Sequence, residues 1–331
     1  MTRFYVFNGD ADGLCALQQL HLADSEDAVL VTGVKRDIGL LVRVEAKAGD
    51  QVTVLDLALD KNRHALERIL AAGARVRYFD HHFHGEIPRH PGLEAHIDTT
   101  ADRGTSLLVD DYLGGQFRAW AVVGTFGDNF DEAARRAAQP LGLTEVQLAA
   151  LRDLGIYLNY NGYGAEVADL HFPPDALFRR LQPYADPLDF IDQDAAFHQL
   201  RDGFNADMAK ARAVEATLDQ PGHRLHILPA EPWARRAGGV LANELARAAP
   251  DQAHALLTRL PTGGFVVSLR APLTRRQGAD ELCRRFPTGG GRPAAAGINQ
   301  LPEEAYGDFV AAFLAAFTAS PARVTPDPGT P

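Results

Sequence analysis

Short apolar runs alternate with amphipathic stretches over the first 100 residues of the chain. Near-continuous apolar runs predict buried strands, at residues 4–7, 28–32, 52–55 and 76–79. Between them, residues 14–22 and the spacing of Leu66, Ile69 and Leu70 predict helices. Buried strands that alternate with helices are typical of a parallel sheet covered on both faces. The predicted fold class is therefore α/β.

The rest of the chain has a different pattern. Helices are predicted at 104–128, 144–158, 175–181 and 193–218, with a loop at 159–164 because that segment is rich in Gly and Asn. Beyond the turn at Pro221-Gly222, strands are predicted at 226–228, 253–259 and 264–269, helices at 233–248 and 303–319, and a small-residue loop at 287–297. We therefore expect a parallel-sheet domain (1–135), a helical connector (136–222), a smaller mixed α/β domain (223–318) and a proline-rich disordered tail (319–331).

Charge narrows the range of partners. Lys and Arg number 33 and Asp and Glu 43, which gives a formal charge of −10 and argues against a protein that grips a long polyanion. The two cysteines, Cys15 and Cys283, have no metal-like spacing, which favours a reducing cytoplasm. Neither a signal peptide nor a membrane-spanning run is recognisable in the sequence. We expect a cytoplasmic protein without a membrane partner.

Four clusters of polar residues could ligate a metal. Asp10 and Asp12 follow the first predicted strand, Asp56 follows the third, Asp80-His81-His82 follows the fourth, and Asp128 ends a later apolar segment. Because ligands bind outside the carboxyl ends of strands in open α/β sheets, the first three clusters should meet at one edge. Converging carboxylates repel unless a cation neutralises them, and carboxylate with imidazole favours Mn²⁺ over Mg²⁺ or Co²⁺. The donors suffice for two divalent metals.

These motifs resemble those of the DHH phosphoesterase superfamily. The matching segments are GDADG (9–13), VLDLALD (54–60), FDHH (79–82) and VGTFGD (123–128), in the family's order. The last third resembles the family's DHHA1-like substrate-binding domain through VSLRAP (267–272), GADELCRRF (278–286) and GGGRPAAAG (289–297). The resemblance implies a parallel-sheet DHH domain, a helical connector and a smaller mixed α/β DHHA1-like domain.

The resemblance also implies roles for individual residues. Those expected to hold metal are Asn8 and Asp10 for the first ion, Asp12, His81 and Asp128 for the second, and Asp56 as a bridge between the two. His82 is expected to face the scissile phosphate, and Asp80 to orient a histidine. In the second domain, the residues expected to bind substrate are Arg270, Gly289, Gly290, Gly291 and Arg292.

Two of these positions depart from the family pattern. Many relatives have His or Asp where this chain has Asn8, and an Asn carbonyl is a weaker metal ligand. Arg292 stands where the family loop has histidine, and it adds a bidentate grip on phosphate. Both departures are compatible with activity on a changed substrate.

The expected activity is metal-dependent hydrolysis of short oligonucleotides or dinucleotides by a water that two metals activate. The length and acidic charge argue against a long nucleic acid as partner, and a homodimer is left open. Within the enzymes, the alternative is a phosphatase of nucleotides, such as 3′-phosphoadenosine 5′-phosphate, or of polyphosphate. Outside them, Asn8 leaves open a catalytically weak regulatory protein that binds nucleotides.

Overall fold

The computed structural model describes residues 1–317, so the predicted tail at 319–331 lies outside the described residues. The chain forms two compact units, the first from Met1 to Ala206 and the second from Asp207 onward. The three domain limits predicted from the sequence stay predictions. Among the described residues, no helix is both long enough and apolar enough to cross a bilayer.

The first unit is a parallel sheet with helices on both faces. Its strands are β1 (Arg3–Asn8), β2 (Val29–Gly33), β3 (Gln51–Leu55), β4 (Arg75–Asp80) and β5 (Leu93–Ile97). Its helices are α1 (Ala11–Ala23), α2 (Leu59–Ala71), α3 (Thr105–Tyr112), α4 (Arg118–Gly127), α5 (Asp131–Ala138), α6 (Glu145–Gly162), α7 (Pro174–Leu181), α8 (Pro187–Gln193) and the start of α9 (Ala195–Arg212).

The strands lie in the order β2-β1-β3-β4-β5, and every pair is parallel, which confirms the predicted parallel α/β sheet. Successive strand residues point to opposite faces. Phe7 therefore joins a core formed with α1, α4 and α6, whereas Val6 joins a second core that includes Leu66 and Ile69 of α2. Both faces of the sheet are covered, as the apolar runs predicted.

Small residues bring three helices of the first core into close contact. A Cβ on Gly127 of α4 would lie 2.2 Å from the Cβ of Ala11 in α1 and 3.0 Å from the backbone oxygen of Gly155 in α6. A Cβ on Gly155 would in turn lie 2.3 Å from the backbone oxygen of Val123. The three helix backbones can approach this closely only because these positions carry no side chain.

The second unit is a mixed sheet with helices. Its strands are β6 (Leu218–Gln220), β7 (His223–Leu228), β8 (Ala253–Arg259), β9 (Phe265–Arg270), β10 (Gly289–Arg292) and β11 (Ala295–Leu301). Its helices are α10 (Pro232–Ala248), α11 (Ala279–Cys283) and α12 (Tyr306–Ala316). The strand order is β10-β11-β9-β8-β7-β6, with β7 and β8 parallel and the other pairs antiparallel. The prediction of a mixed α/β domain in this part of the chain is confirmed.

Two predicted helices have different limits in the structure. The helix predicted at 104–128 is α3 followed by α4, because Gly114 and Gly115 adopt positive φ values (66° and 81°) that end α3. The helix predicted at 193–218 is α9, which ends at Arg212 and is followed by the short strand β6.

The prediction of a loop at 159–164 is wrong for the first four residues, because α6 continues to Gly162. Contacts with residues outside the helix stabilise this end of α6, where Asn and Gly have low helix propensity. The side chain of Asn161 bonds to both the backbone N–H and the backbone oxygen of Phe172 (3.1 and 2.9 Å). A Cβ on Gly162 would lie 3.1 Å from the backbone oxygen of Gly9, so α6 ends directly against the first metal-ligand motif.

The prediction of a loop at 287–297 is wrong as well, because most of this segment forms the hairpin of β10 and β11. Two of its glycines, Gly289 and Gly291, are needed for space. A Cβ on Gly289 would lie 1.8 Å from the backbone oxygen of Cys283, and Gly291 has φ +137° and lies close to Ala296. The sequence pattern also missed β5, an edge strand whose residues are exposed or half-buried.

The contact of α1, α4 and α6 gives a test of the packing. We expect Gly127→Ala to lower the free energy of unfolding by about 1–3 kcal/mol, because the added methyl overlaps Ala11 in a close-packed core. The measurement is urea denaturation followed by circular dichroism. Gly39→Ala is the control, since a Cβ there meets nothing within 4 Å. Equal stability of Gly127→Ala and the wild type would contradict this packing.

Candidate metal centre

The candidate site lies at the carboxyl edge of the parallel sheet. In the sheet, β2 lies on one side of β1, and β3 lies on the other side. The order of strands therefore reverses between β1 and β3. Asp10 and Asp12 follow β1, Asp56 follows β3, and β4 ends in Asp80, directly before His81. Ligands of doubly wound sheets bind at such a reversal point. The structure thus brings these predicted residues to one place.

Asp12 is fully buried, and its position is fixed by α3. Its Oδ1 accepts the backbone N–H of Ser106 (2.8 Å), and its Oδ2 accepts that of Thr105 (2.6 Å), so the carboxylate caps the start of this helix. Gly104 leaves room, since a Cβ there would lie 3.0 Å from both carboxylate oxygens. Burial raises the pKa of Asp12 to about 6, and the nearby Asp128 carboxylate adds to the rise.

Asp56 is held in an unusual backbone conformation. Its φ is +59°, a left-handed value that few residues other than glycine adopt. Its N–H donates to the backbone oxygen of Phe79 (3.0 Å), and the hydroxyl of Thr105 donates to its Oδ1 (3.2 Å). Burial and the Asp10 carboxylate raise the pKa of Asp56 well above its ordinary value. Strain of this kind is concentrated at functional sites.

His81 is the point on which the carboxylates converge. Its Nε2 lies 3.3 Å from Asp56 Oδ1, 3.5 Å from Asp128 Oδ2 and 3.9 Å from Asp12 Oδ2. Burial alone lowers the pKa of His81, but the hydrogen bond to Asp56 and the nearby carboxylates outweigh it and raise the pKa to about 10. The surroundings of this nitrogen are therefore strongly negative and favour a bound cation.

The donors fit a divalent metal. Asp12, His81 and Asp128 each offer an atom within 4.8 Å of the others, and so do Asp56, His81 and His82. Such a set of carboxylates and imidazole contains no thiolate and suits Mn²⁺ or Mg²⁺. The residues expected from the sequence for the second ion and the bridge thus lie together around His81.

Asp80 and His82 form a pair at the side of this cluster. Asp80 is fully buried, and its Oδ1 lies 2.8 Å from His82 Nδ1. The His82 side chain is 45% exposed, so its second nitrogen is available to solvent or to a ligand. Burial lowers the pKa of His82, but the hydrogen bond to Asp80 and the charge of Asp56 raise it overall. A partly exposed imidazole beside the metal ligands is suited to a phosphoryl oxygen.

Sequence reasoning missed a lysine in the middle of the site. Lys35 follows β2, and its Nζ lies 2.5 Å from Asp10 Oδ2, 2.8 Å from Asn159 Oδ1 and 3.2 Å from Asp128 Oδ1. Burial lowers the pKa of Lys35, but Asp10 and Asp128 raise it well above its ordinary value. The same lysine and His81 outweigh the effect of burial on Asp128 and lower its pKa. The position of Lys35 after β2 is the one local signal, and that signal does not by itself place Lys35 beside Asp10.

The two residues expected for the first ion, Asn8 and Asp10, both contact this lysine. Asp10 caps α1 by accepting the N–H of Gly13 on Oδ1 (3.0 Å), and its Oδ2 contacts Lys35. Asn8 donates from Nδ2 to the backbone oxygen of Lys35 (3.4 Å). Asn8 Oδ1 is buried and accepts no hydrogen bond from the described residues.

The predicted substrate-binding residues lie together in the second unit. Arg292 pairs with Ala295 across the hairpin, and Ala295 pairs with Arg270 of β9, so the two arginines flank one residue of β11. Arg270 Nε donates to the side-chain oxygen of Asn243 (2.8 Å), whereas Arg292 is exposed. Gly290, between the two sterically required glycines, borders open space.

Comparisons with known proteins identify the fold. No model of a known protein family matches the chain, and no curated protein does. Among solved structures, it is similar to the exonuclease RecJ bound to manganese, with a TM-score of 0.64 at 19% identity over 96% of this chain and 91% of that one. It is also similar to the DHH domain of a member of a family of ribosomal proteins, with a TM-score of 0.65 at 12% identity over 95% and 86% of the two chains.

A third similar structure is PggH from Vibrio cholerae, a pGpG-specific phosphodiesterase. Its TM-score is 0.55 at 16% identity, and the match covers 95% of this chain and 98% of that one. The chain therefore has the fold of the DHH phosphoesterases, as its motifs indicated.

The central place of His81 leads to a test of metal binding. We expect His81→Asn to weaken Mn²⁺ binding at least about tenfold, because the variant removes the nitrogen on which three carboxylates converge. Isothermal titration calorimetry of the metal-stripped protein measures the affinity. His64→Asn is the control, since His64 is exposed on α2. Unchanged affinity in His81→Asn would place the metal elsewhere.

Proposed function

We propose that the chain is a phosphodiesterase that depends on a divalent metal, Mn²⁺ first, and hydrolyses short oligonucleotides or linear dinucleotides. One observation carries the proposal: three carboxylates, two of them fully buried, converge on His81 Nε2 at the reversal point of a parallel sheet. The likeness to a manganese-bound exonuclease and to a pGpG-specific phosphodiesterase supports it.

Each residue has a proposed role. A divalent cation bound at Asp12, Asp56, His81 and Asp128 would supply Lewis acidity to phosphate and water. Asp80 orients His82 through Nδ1, so that the second nitrogen of His82 can donate to a phosphoryl oxygen. The negative charge that develops on phosphate in the transition state is then stabilised by groups whose positions are already fixed.

The second unit is proposed to bind phosphate. Arg270 and Arg292 place two guanidinium groups on one region of the sheet, and guanidinium groups bind phosphate in a bidentate manner. Gly290 leaves the backbone there open to close approach. The formal charge of −10 supports a short substrate rather than a long polyanion, and we propose the cytoplasm as the location.

The test is turnover on a panel of substrates. It compares pGpG, a 5′-phosphorylated RNA dinucleotide of another sequence, 3′-phosphoadenosine 5′-phosphate, polyphosphate and a long single-stranded DNA, each with Mn²⁺, Mg²⁺ or EDTA. We expect mononucleotide release from the dinucleotides with Mn²⁺ and none with EDTA. Asp128→Ala should lower turnover at least about a hundredfold, because Asp128 contacts both Lys35 and His81.

Asp153→Ala is the matched control, since this carboxylate is exposed on α6. Hydrolysis of 3′-phosphoadenosine 5′-phosphate or polyphosphate alone would replace the proposal by a phosphatase. Tight binding of pGpG without turnover in Mn²⁺ would replace it by a regulatory nucleotide-binding protein.

A further inference from the structure

Lys35 is fixed in the site from both its backbone and its side chain. Its N–H donates to the backbone oxygen of Gly162 at the end of α6 (2.8 Å), and its own backbone oxygen accepts from Asn8 (3.4 Å). The ammonium lies 5.6 Å from the ring centre of Tyr163. An ammonium has three N–H donors, and the oxygens of Asp10, Asn159 and Asp128 match that number.

These contacts place a positive charge where a first metal would bind. Asp10 has one oxygen on the N–H of Gly13 and the other on Lys35. The two carboxylate oxygens of Asp128 have different partners. Oδ1 contacts Lys35, and Oδ2 lies 3.5 Å from His81 Nε2. A divalent cation placed against Asp10 would meet the positive charge of the ammonium there, and like charges repel.

The donors on the other side of Asp128 suit a single ion. His81 Nε2 has one lone pair and can bind one metal. Both candidate groups of metal donors include this histidine, and Asp10 belongs to neither of them. The side chains of the described residues therefore define one metal position around His81 and one ammonium position around Asp10.

We infer that the chain holds one divalent cation, at Asp12, Asp56, His81 and Asp128, and that Lys35 is a built-in second cation in place of another metal. The inference rests on the proposed metal site, but not on hydrolysis. It revises the two metals expected from the family resemblance. Lys35 acts as a positioning residue. It neutralises the charge of Asp10, and it orients Asp128, which is a ligand of the bound ion.

The number of bound ions tests the inference directly. We expect equilibrium dialysis of the full chain against saturating Mn²⁺, followed by metal analysis, to find one ion per chain. The electron paramagnetic resonance spectrum should be that of isolated Mn²⁺. Lys35→Ala should bind two ions with a spin-coupled spectrum, because the variant frees the oxygens of Asp10, Asn159 and Asp128.

Lys61→Ala is the control, since Lys61 is exposed and contacts only the neighbouring Asp60 among the described ion pairs. Lys35→Met, which keeps most of the side-chain stem, serves if Lys35→Ala does not fold. Two coupled ions in the wild type, or one ion in both folded variants of Lys35, would overturn the inference. A wild type that binds one ion but hydrolyses none of the substrates would contradict the proposed function and leave the inference of a single ion intact.

Discussion

The structure depends on a concentration of negative charge at one edge of a buried sheet. Asp10, Asp12, Asp56 and Asp128 are all withdrawn from water, and such carboxylates repel one another unless cations and hydrogen-bond donors compensate them. The chain itself supplies part of the compensation: backbone N–H groups of α3 for Asp12, the N–H of Gly13 for Asp10, and the ammonium of Lys35. What remains around His81 is a position that favours a divalent cation.

The fold places these charges through backbone packing. Parallel strands in the order β2-β1-β3-β4-β5 bring the ends of β1, β3 and β4 to a single edge. Glycines then let α4 and α6 approach α1, so that Asp128 at the end of α4 and Asn159 in α6 reach Lys35. Because Asp10 and Asp12 stand at the start of α1, the same helix serves both the core and the site.

Much of this could be predicted from local patterns. The apolar runs located β1, β3 and β4, and the rule that ligands gather at the carboxyl ends of strands selected the acidic clusters. The edge strand β5 was missed because its half-exposed residues lack an apolar run. The end of α6 was missed because Asn161 and Gly162 form helix only through contacts with distant segments. Lys35 looks like any surface lysine until the strand order puts it beside Asp10, and no local pattern contains that information.

The central claim is that the carboxylates around His81 hold a divalent cation beside a fixed ammonium. The most direct measurement is a crystal structure of the protein soaked in Mn²⁺, with data collected to show the anomalous signal of manganese. We expect one anomalous peak bonded to His81 Nε2 and to oxygens of Asp12, Asp56 and Asp128, with Lys35 still in contact with Asp10. A peak on Asp10 with Lys35 displaced, or no peak at this edge of the sheet, would contradict it.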